Sequence, residues 1–203
     1  MNLALFDFDG TITTGDTLTP FLRFAIRPSR AVLAGLLISP VIIAHRLRLI
    51  STTSTRPIVA RAGFQGVPVD IVRALGRQYA TEALPTVIEA QSMERLQWHR
   101  HRGDTVAVVS AGLDVYLGPW CEAHGVELIC TELEERHGRM TGRYRRGDCS
   151  GPTKARLIRT TFDLDRFETI YAYGDTAEDR EMLALANRKY YRWKEIDDCR
   201  QAG

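Results

Sequence analysis

Short apolar runs punctuate this chain, and most of them stop at small or acidic residues. Residues 3–8 form the first, closed by Asp9-Gly10-Thr11, which predicts a buried strand ending in a turn. Residues 105–109 form a second, ending at Ser110-Ala111-Gly112. Residues 126–131 and 169–173 continue the series, the latter stopping at Gly174-Asp175-Thr176, and residues 189–193 offer a fifth. Helical patterns lie between these runs, over 113–124, 154–161 and 179–186, the last rich in good helix formers. Strands alternating with helices predict βαβ units, hence an α/β fold with a parallel sheet flanked by helices. The polar, turn-rich stretch 136–143 predicts a β-hairpin excursion.

Residues 16–98 read differently. They carry helical periods and no clear strand, with a loop at 63–68. The expected organisation is therefore a core of residues 1–15 and 99–203 with an α-helical insert, residues 16–98, after the first strand. Inside the insert, residues 31–44 are almost wholly apolar, flanked by Arg23, Arg27 and Arg30 before and His45, Arg46 and Arg48 after. The run is shorter than the ~20 apolar residues a membrane span needs, and it contains Pro40. Two readings remain open. It is a buried helix of the insert, or it rests in a membrane interface, where flanking arginines suit an anionic lipid surface.

Composition narrows the picture modestly. The 203 residues suit one domain, or one core with an insert, and 44% hydrophobic content is enough for a sizeable core. A net charge of +2 gives no global case for nucleic acid. The local basic patches, Trp98-His99-Arg100-His101-Arg102 and residues 143–146, read as solvated surface, and no nucleic acid is expected as a partner. The four cysteines, Cys121, Cys130, Cys149 and Cys199, form no C-x-x-C pair and read as reduced thiols, neither a zinc site nor a disulfide framework. The N-terminus has no basic region, and Asp7 and Asp9 cut its apolar run, so it does not read as a signal peptide. A cytoplasmic location is expected, with peripheral contact at the inner membrane face through residues 31–44 if the interfacial reading holds.

The chemistry is concentrated at strand ends, where open α/β sheets bind their ligands. Asp7 and Asp9 are two apart on an extended segment, which places their side chains on the same side. Carboxylates so close repel unless a cation or a shared proton intervenes. Asp175 and Asp179 follow another strand end. One Asp-Gly turn alone is ordinarily a turn former or helix cap; four acids at two strand ends predict an oxygen-rich site suited to Mg²⁺. Ser110, with the amides of Ala111 and Gly112, predicts an anion cradle at a helix start, and Lys154 opens another helix.

With those residues in place the chain resembles the haloacid dehalogenase (HAD) superfamily of phosphatases. Asp7-Phe8-Asp9-Gly10-Thr11 looks like the family's first motif, Ser110 its second, Lys154 its third, and Gly174-Asp175-Thr176-Ala177-Glu178-Asp179 its fourth, in the family's order. The layout is similar to the phosphoserine phosphatase-like branch, subfamily IB, and the insert looks like a C1-type cap on a Rossmann-like core. The resemblance implies a Mg²⁺-dependent phosphatase. Asp7 would be the nucleophile that forms an aspartyl-phosphate, and Asp9 the acid and then the base. Asp7, the backbone carbonyl of Asp9, and Asp175 would hold the metal. Ser110, Ala111, Gly112, Thr11 and Lys154 would bind the phosphoryl group, and Asp179 would support the metal site or Lys154.

The substrate is less legible. A looser resemblance to the phosphatidylglycerophosphatase C type rests on Phe21-Leu22-Arg23, the apolar run and the Cys149-x-Gly151-x-x-Lys154 context. It implies a lipid phosphate such as phosphatidylglycerol phosphate. The alternative is a small soluble phosphomonoester, phosphoserine-like. Phosphoserine phosphatases meet the substrate amine with a cap Glu near the first motif; Asp16 stands there, either in that role or as the N-cap of a helix starting near Thr17. An expectation of another class is a non-catalytic membrane-surface or regulatory protein on this scaffold, against which the complete acidic set argues.

Overall fold

In the computed structural model the described residues are 1–26 and 52–197. The apolar run 31–44 and Cys199 lie outside them. In chain order the strands are β1 (Leu3–Phe6), β2 (Thr105–Leu113), β3 (Glu127–Thr131), β4 (Leu133–Arg136), β5 (Arg139–Tyr144), β6 (Ile170–Gly174), β7 (Arg188–Tyr191) and β8 (Lys194–Ile196). The helices are α1 (Leu18–Ala25), α2 (Thr52–Phe64), α3 (Val69–Glu82), α4 (Ala90–His101), α5 (Asp114–His124), α6 (Pro152–Thr161) and α7 (Arg180–Leu183).

The main sheet runs β3-β2-β1-β6-β7-β8, parallel throughout except for the antiparallel β8. β1 is central because both of its faces are apolar, as a strand covered by helices on both sides requires. Ala4 and Phe6 join Val106, Val108, Tyr171 and Tyr173 in one core layer, packed on α4, α5 and the insert. Leu3 and Leu5 join Ala107, Val109, Ile170 and Ala172 in the other, with Leu157 and Ile158 of α6 and Met182 of α7. Phe6 is level with Val108 and Tyr173, so the carboxyl ends of β1, β2 and β6 open at one rim.

α1, α2 and α3 lie between β1 and β2 in the chain, and α4 follows them and packs on the sheet. His99 of α4 is fully buried, its ring edge-on to Phe6, Tyr171 and Tyr173. The segment between β1 and α4 leaves and returns side by side. Thr13 and Ile88 form an antiparallel bridge, Thr14 N–H donates to the Val87 carbonyl at 2.9 Å, and Glu89 N–H donates to that of Ile12 at 3.0 Å. β4 and β5 form the hairpin predicted around 136–143, and β5 packs against α2.

Three local expectations are corrected. The helix expected over 179–186 is a 3₁₀ turn, Ala177–Asp179, followed by the four residues of α7. The chain leaves the helix through i→i−3 bonds at Leu185 and Ala186, because Asn187 must reach the Ile170 carbonyl to start β7. The strand expected over 189–193 stops at Tyr191. Arg192 and Trp193 sit at φ 50° and 64°, the two-residue turn whose twist matches antiparallel strands, and the chain returns as β8. The helix expected from 113 starts at Asp114, since β2 continues through Ser110-Ala111-Gly112 to Leu113 with a register shift.

Candidate active site

Strand parity aims Asp7. Leu3, Leu5 and Asp7 are successive odd positions, and the Asp7 N–H continues the ladder to the Tyr173 carbonyl at 2.9 Å. The carboxylate therefore faces the layer holding α6. On α6, Lys154 lies three and four residues before Leu157 and Ile158, on the same face and buried with them. Lys154 Nζ donates to Asp7 Oδ1 at 2.5 Å and to Asp179 Oδ1 at 2.6 Å. Burial works against the ammonium charge, yet Asp7 and Asp179 hold its pKa above the ordinary lysine value. Burial pushes Asp7 up to about 8, with Lys154 pulling the other way.

Asp179 is a scaffold for this centre. Its Oδ2 accepts from the Asp175 N–H at 3.2 Å, the Thr176 N–H at 3.0 Å and the Thr176 hydroxyl at 3.0 Å, while Oδ1 takes Lys154. Gly174 is required here: a Cβ on it would lie 2.6 Å from that of Asp179. Asp175 stands against the first-motif turn. A Cβ on Gly10, at φ +81°, would fall 2.4 Å from Asp175 Oδ2, so both the turn and the carboxylate depend on glycine. Burial raises the Asp175 pKa, as does neighbouring Asp179, against Lys154.

Asp9 is held by its own partner. A turn begins at Phe8, whose carbonyl accepts from the N–H groups of Thr11, Ile12 and Thr13, so extended periodicity ends before Asp9. Asp9 Oδ1 accepts from the Thr17 hydroxyl at 2.6 Å and the Thr17 N–H at 3.2 Å. Burial pushes its pKa up to about 6, with the Thr17 hydrogen bonds opposing. Asp16 caps α1, accepting from the Leu18 N–H at 3.1 Å and the Thr19 N–H at 3.2 Å. Asp7, Asp175 and Asp179 thus come together, and Asp9, bonded to Thr17, adds its negative charge to the field that raises the Asp7 pKa.

Ser110 is buried at the end of β2, and its Oγ accepts from the Gly112 N–H at 2.9 Å. The Ser110-Ala111-Gly112 segment lies in the irregular end of the strand, two residues before α5, so it is not the helix start expected of it. Thr11, on the first-motif turn, is buried, and among the described residues its hydroxyl has no partner.

The acids fit a hard divalent cation. Asp7, Asp175 and Asp179 each place a carboxylate oxygen within 4.8 Å of the others. Asp175 Oδ1 is buried and accepts no hydrogen bond from the described residues, a costly state for a carboxylate without a ligand. Three carboxylates against one ammonium leave a charge deficit that Mg²⁺ matches, and oxygen donors are its ordinary ligands. Asp7 and Asp175 would hold it, since the oxygens of Asp179 are already engaged.

The sequence reading missed Arg56. From α2 of the insert its guanidinium donates to Glu178 Oε2 at 2.9 Å and Asp148 Oδ1 at 3.3 Å, just outside the acidic centre. No local pattern signals it, because the partners are 122 and 92 positions away. The basic patch at 98–102 is also not one surface, since His99 turns inward to Asp104 at 2.8 Å and to the Tyr173 hydroxyl at 2.9 Å. Cys121, Cys130 and Cys149 are buried free thiols.

Residues 4–184 match the haloacid dehalogenase-like hydrolase family. Protein CicA of Caulobacter vibrioides is 29% identical over 192 residues, 94% of this chain and 85% of that protein. A protein of unknown function from Bordetella pertussis Tohama I superposes with a TM-score of 0.79 at 22% identity, covering 94% of this chain and 89% of that one. A probable phosphoserine phosphatase from Vibrio cholerae superposes with a TM-score of 0.68 at 19% identity, over 94% of this chain and 55% of that one.

Proposed function

The chain belongs to the haloacid dehalogenase-like hydrolase family, and from that premise we propose that it is a Mg²⁺-dependent phosphatase acting through an aspartyl-phosphate on Asp7. The observation that carries this reading is Lys154 clamped between Asp7 and Asp179 at the rim of β1 and β6, beside an Asp175 Oδ1 that no described residue meets. Asp7 attacks phosphorus while the bond to the leaving oxygen breaks, and Asp9 gives that oxygen its proton. Asp9, now a carboxylate, takes a proton from water, which attacks phosphorus and breaks the bond to Asp7, freeing phosphate. Lys154 offsets charge on Asp7 and the phosphoryl group, and Ser110, Thr11 and the Ala111 and Gly112 amides hold the phosphoryl oxygens. Asp7, Asp175 and the Asp9 carbonyl would hold Mg²⁺, which would supply charge neutralisation between two anions. Asp179 fixes Lys154 and the Asp175 loop.

In this reading residues 16–98 serve as the cap over a core of residues 1–15 and 99–203, and the cap selects the substrate. A lipid phosphate such as phosphatidylglycerol phosphate is favoured by the arginine-flanked apolar run 31–44, which would give the protein peripheral contact with the inner membrane face. Among the described residues no helix is long and apolar enough to cross a membrane. A small soluble phosphomonoester is the second reading, supported by the fold shared with the probable phosphoserine phosphatase. The bonds from Asp16 to the α1 amides weigh against its meeting a substrate amine.

Phosphate release with Mg²⁺ from phosphatidylglycerol phosphate in mixed micelles, beside phosphoserine and other soluble esters, tests both levels. Turnover lost in Asp7→Asn supports the nucleophile, and wild-type turnover in that variant rejects it. Preference for the lipid supports the interfacial reading of 31–44; preference for a soluble ester makes the run an internal helix.

A further inference from the structure

Asp9 is held in an asymmetric way. Both described hydrogen bonds to its carboxylate come from one residue, Thr17, and both end on Oδ1. Thr17 is almost fully buried. Its Oγ1 also lies 3.2 Å from the Tyr116 hydroxyl, and its carbonyl accepts from the Tyr79 hydroxyl at 3.0 Å. With the Thr17 hydroxyl donating to a carboxylate, the Tyr116 hydroxyl is the donor to Thr17, so the bonds run in one direction toward Asp9. Tyr116 and Tyr79 are themselves fixed, packed edge-on at 5.5 Å and both against Phe21 of α1.

Helix capping does not account for the Thr17 hydroxyl. Thr17 stands at the entry to α1, where such a side chain ordinarily caps the helix. Here Asp16 caps the first amides, and the Thr17 side chain makes no cap bond. A buried hydroxyl pinned between a carboxylate and a phenol is free for another task. With the acidic proton on Oδ2, Oδ1 accepts from the Thr17 hydroxyl and N–H whether Asp9 is a carboxylate or a carboxylic acid. Thr17 is thus compatible with Asp9 in both of the states the proposed reaction needs.

We infer that Thr17 is a positioning residue for the proton transfers of Asp9: it holds the carboxyl by Oδ1 and leaves Oδ2 to exchange the proton with leaving group and water. Because Thr17 immediately precedes α1, the same contact ties Asp9 to the insert. This inference rests on the acid–base role proposed for Asp9.

The test uses the full chain with saturating Mg²⁺, comparing Thr17→Val, Thr17→Ser and Asp9→Asn. p-Nitrophenolate leaves with little need of a proton, whereas an alkoxide leaving group needs one. With p-nitrophenyl phosphate, Thr17→Val should give a fast burst of p-nitrophenolate, one per enzyme, followed by slow release of phosphate. With an alkyl phosphomonoester its kcat should fall about tenfold to a hundredfold, with KM changed less than about twofold, a fraction of what general acid–base catalysis contributes. Thr17→Ser should restore most of the rate. Wild-type kcat in Thr17→Val, or equal losses in burst and steady state, overturns the assignment. So does a Thr17→Ser variant as impaired as Thr17→Val. If Asp9→Asn loses turnover while Thr17→Val keeps it, only the Thr17 assignment fails. If Asp9→Asn turns over at the wild-type rate, the acid–base reading fails and this inference with it.

Discussion

Lys154 Nζ lies 2.5 Å from Asp7 Oδ1, joining residues 147 positions apart in the chain, with both side chains withdrawn from solvent. The contact follows from two independent periodicities, the odd positions of β1 and the Leu157/Ile158 face of α6. An ammonium buried between two carboxylates cannot be removed without leaving charge stranded. Lys154→Met is expected to cut phosphate release at least about a hundredfold, and to lower stability by roughly 3 kcal/mol, as for other buried ion pairs broken on one side. Steady-state turnover and urea unfolding read the two effects; wild-type turnover would remove Lys154 from the catalytic centre.

Asp175 predicts a metal-dependent stability. A cation that binds only the folded chain stabilises it by mass action, about 1.4 kcal/mol at ten times its Kd. Mg²⁺ is therefore expected to raise the melting temperature of the wild-type protein and to leave that of Asp175→Asn nearly unmoved, while a chelator reverses the wild-type shift. A thermal melt with equal Mg²⁺-dependent shifts in both proteins would argue against Asp175 as a ligand.

His99 predicts a pH dependence of folding. Burial depresses its pKa below 6.5, against the pull of Asp104. The folded chain keeps the ring neutral where the unfolded chain has begun to bind a proton. Below about pH 6.5 the unfolded state thus holds more protons, so stability falls as pH falls toward the depressed folded value and is flat above. Urea midpoints between pH 5 and 8 should show this slope, and His99→Gln should flatten it. An unchanged slope in the variant assigns the dependence to other groups.

Arg56 predicts a coupling between insert and core. Its guanidinium is 19% exposed and the Asp148 side chain 6%, so the pair is neither a solvated ion pair nor a fully dry one. Arg56→Ala is expected to cost about 1–3 kcal/mol, between the surface and buried cases. A double-mutant cycle with Glu178→Gln should return a coupling of about 1 kcal/mol that weakens with salt. Strict additivity would mean that the contact carries no energy.

Much of this architecture reads directly from local pattern. β1 and β2 are recognisable because their apolar runs are continuous, as strands covered on both faces must be, and Asp7, Lys154 and Asp175 stand where such runs or helices begin and end. The features that escape are non-local. The turn at Phe8 ends the extended periodicity before Asp9, and only the fold brings Thr17 to meet it. α7 is short because the return to Ile170 overrides good helix propensity. Arg56 has no signature at all, since a lone arginine on a helix is ordinarily solvated.

The seam where Thr13 bridges Ile88 brings the two crossing points of the insert within one strand spacing, roughly 4.8 Å. Length changes between these two points therefore leave the β1 ladder and the start of α4 where they are. What such changes must keep is the apolar seat: Phe21, Val72 and Tyr79 share one buried cluster with Phe6, Tyr116 and Trp120, so the segment and the sheet bury each other.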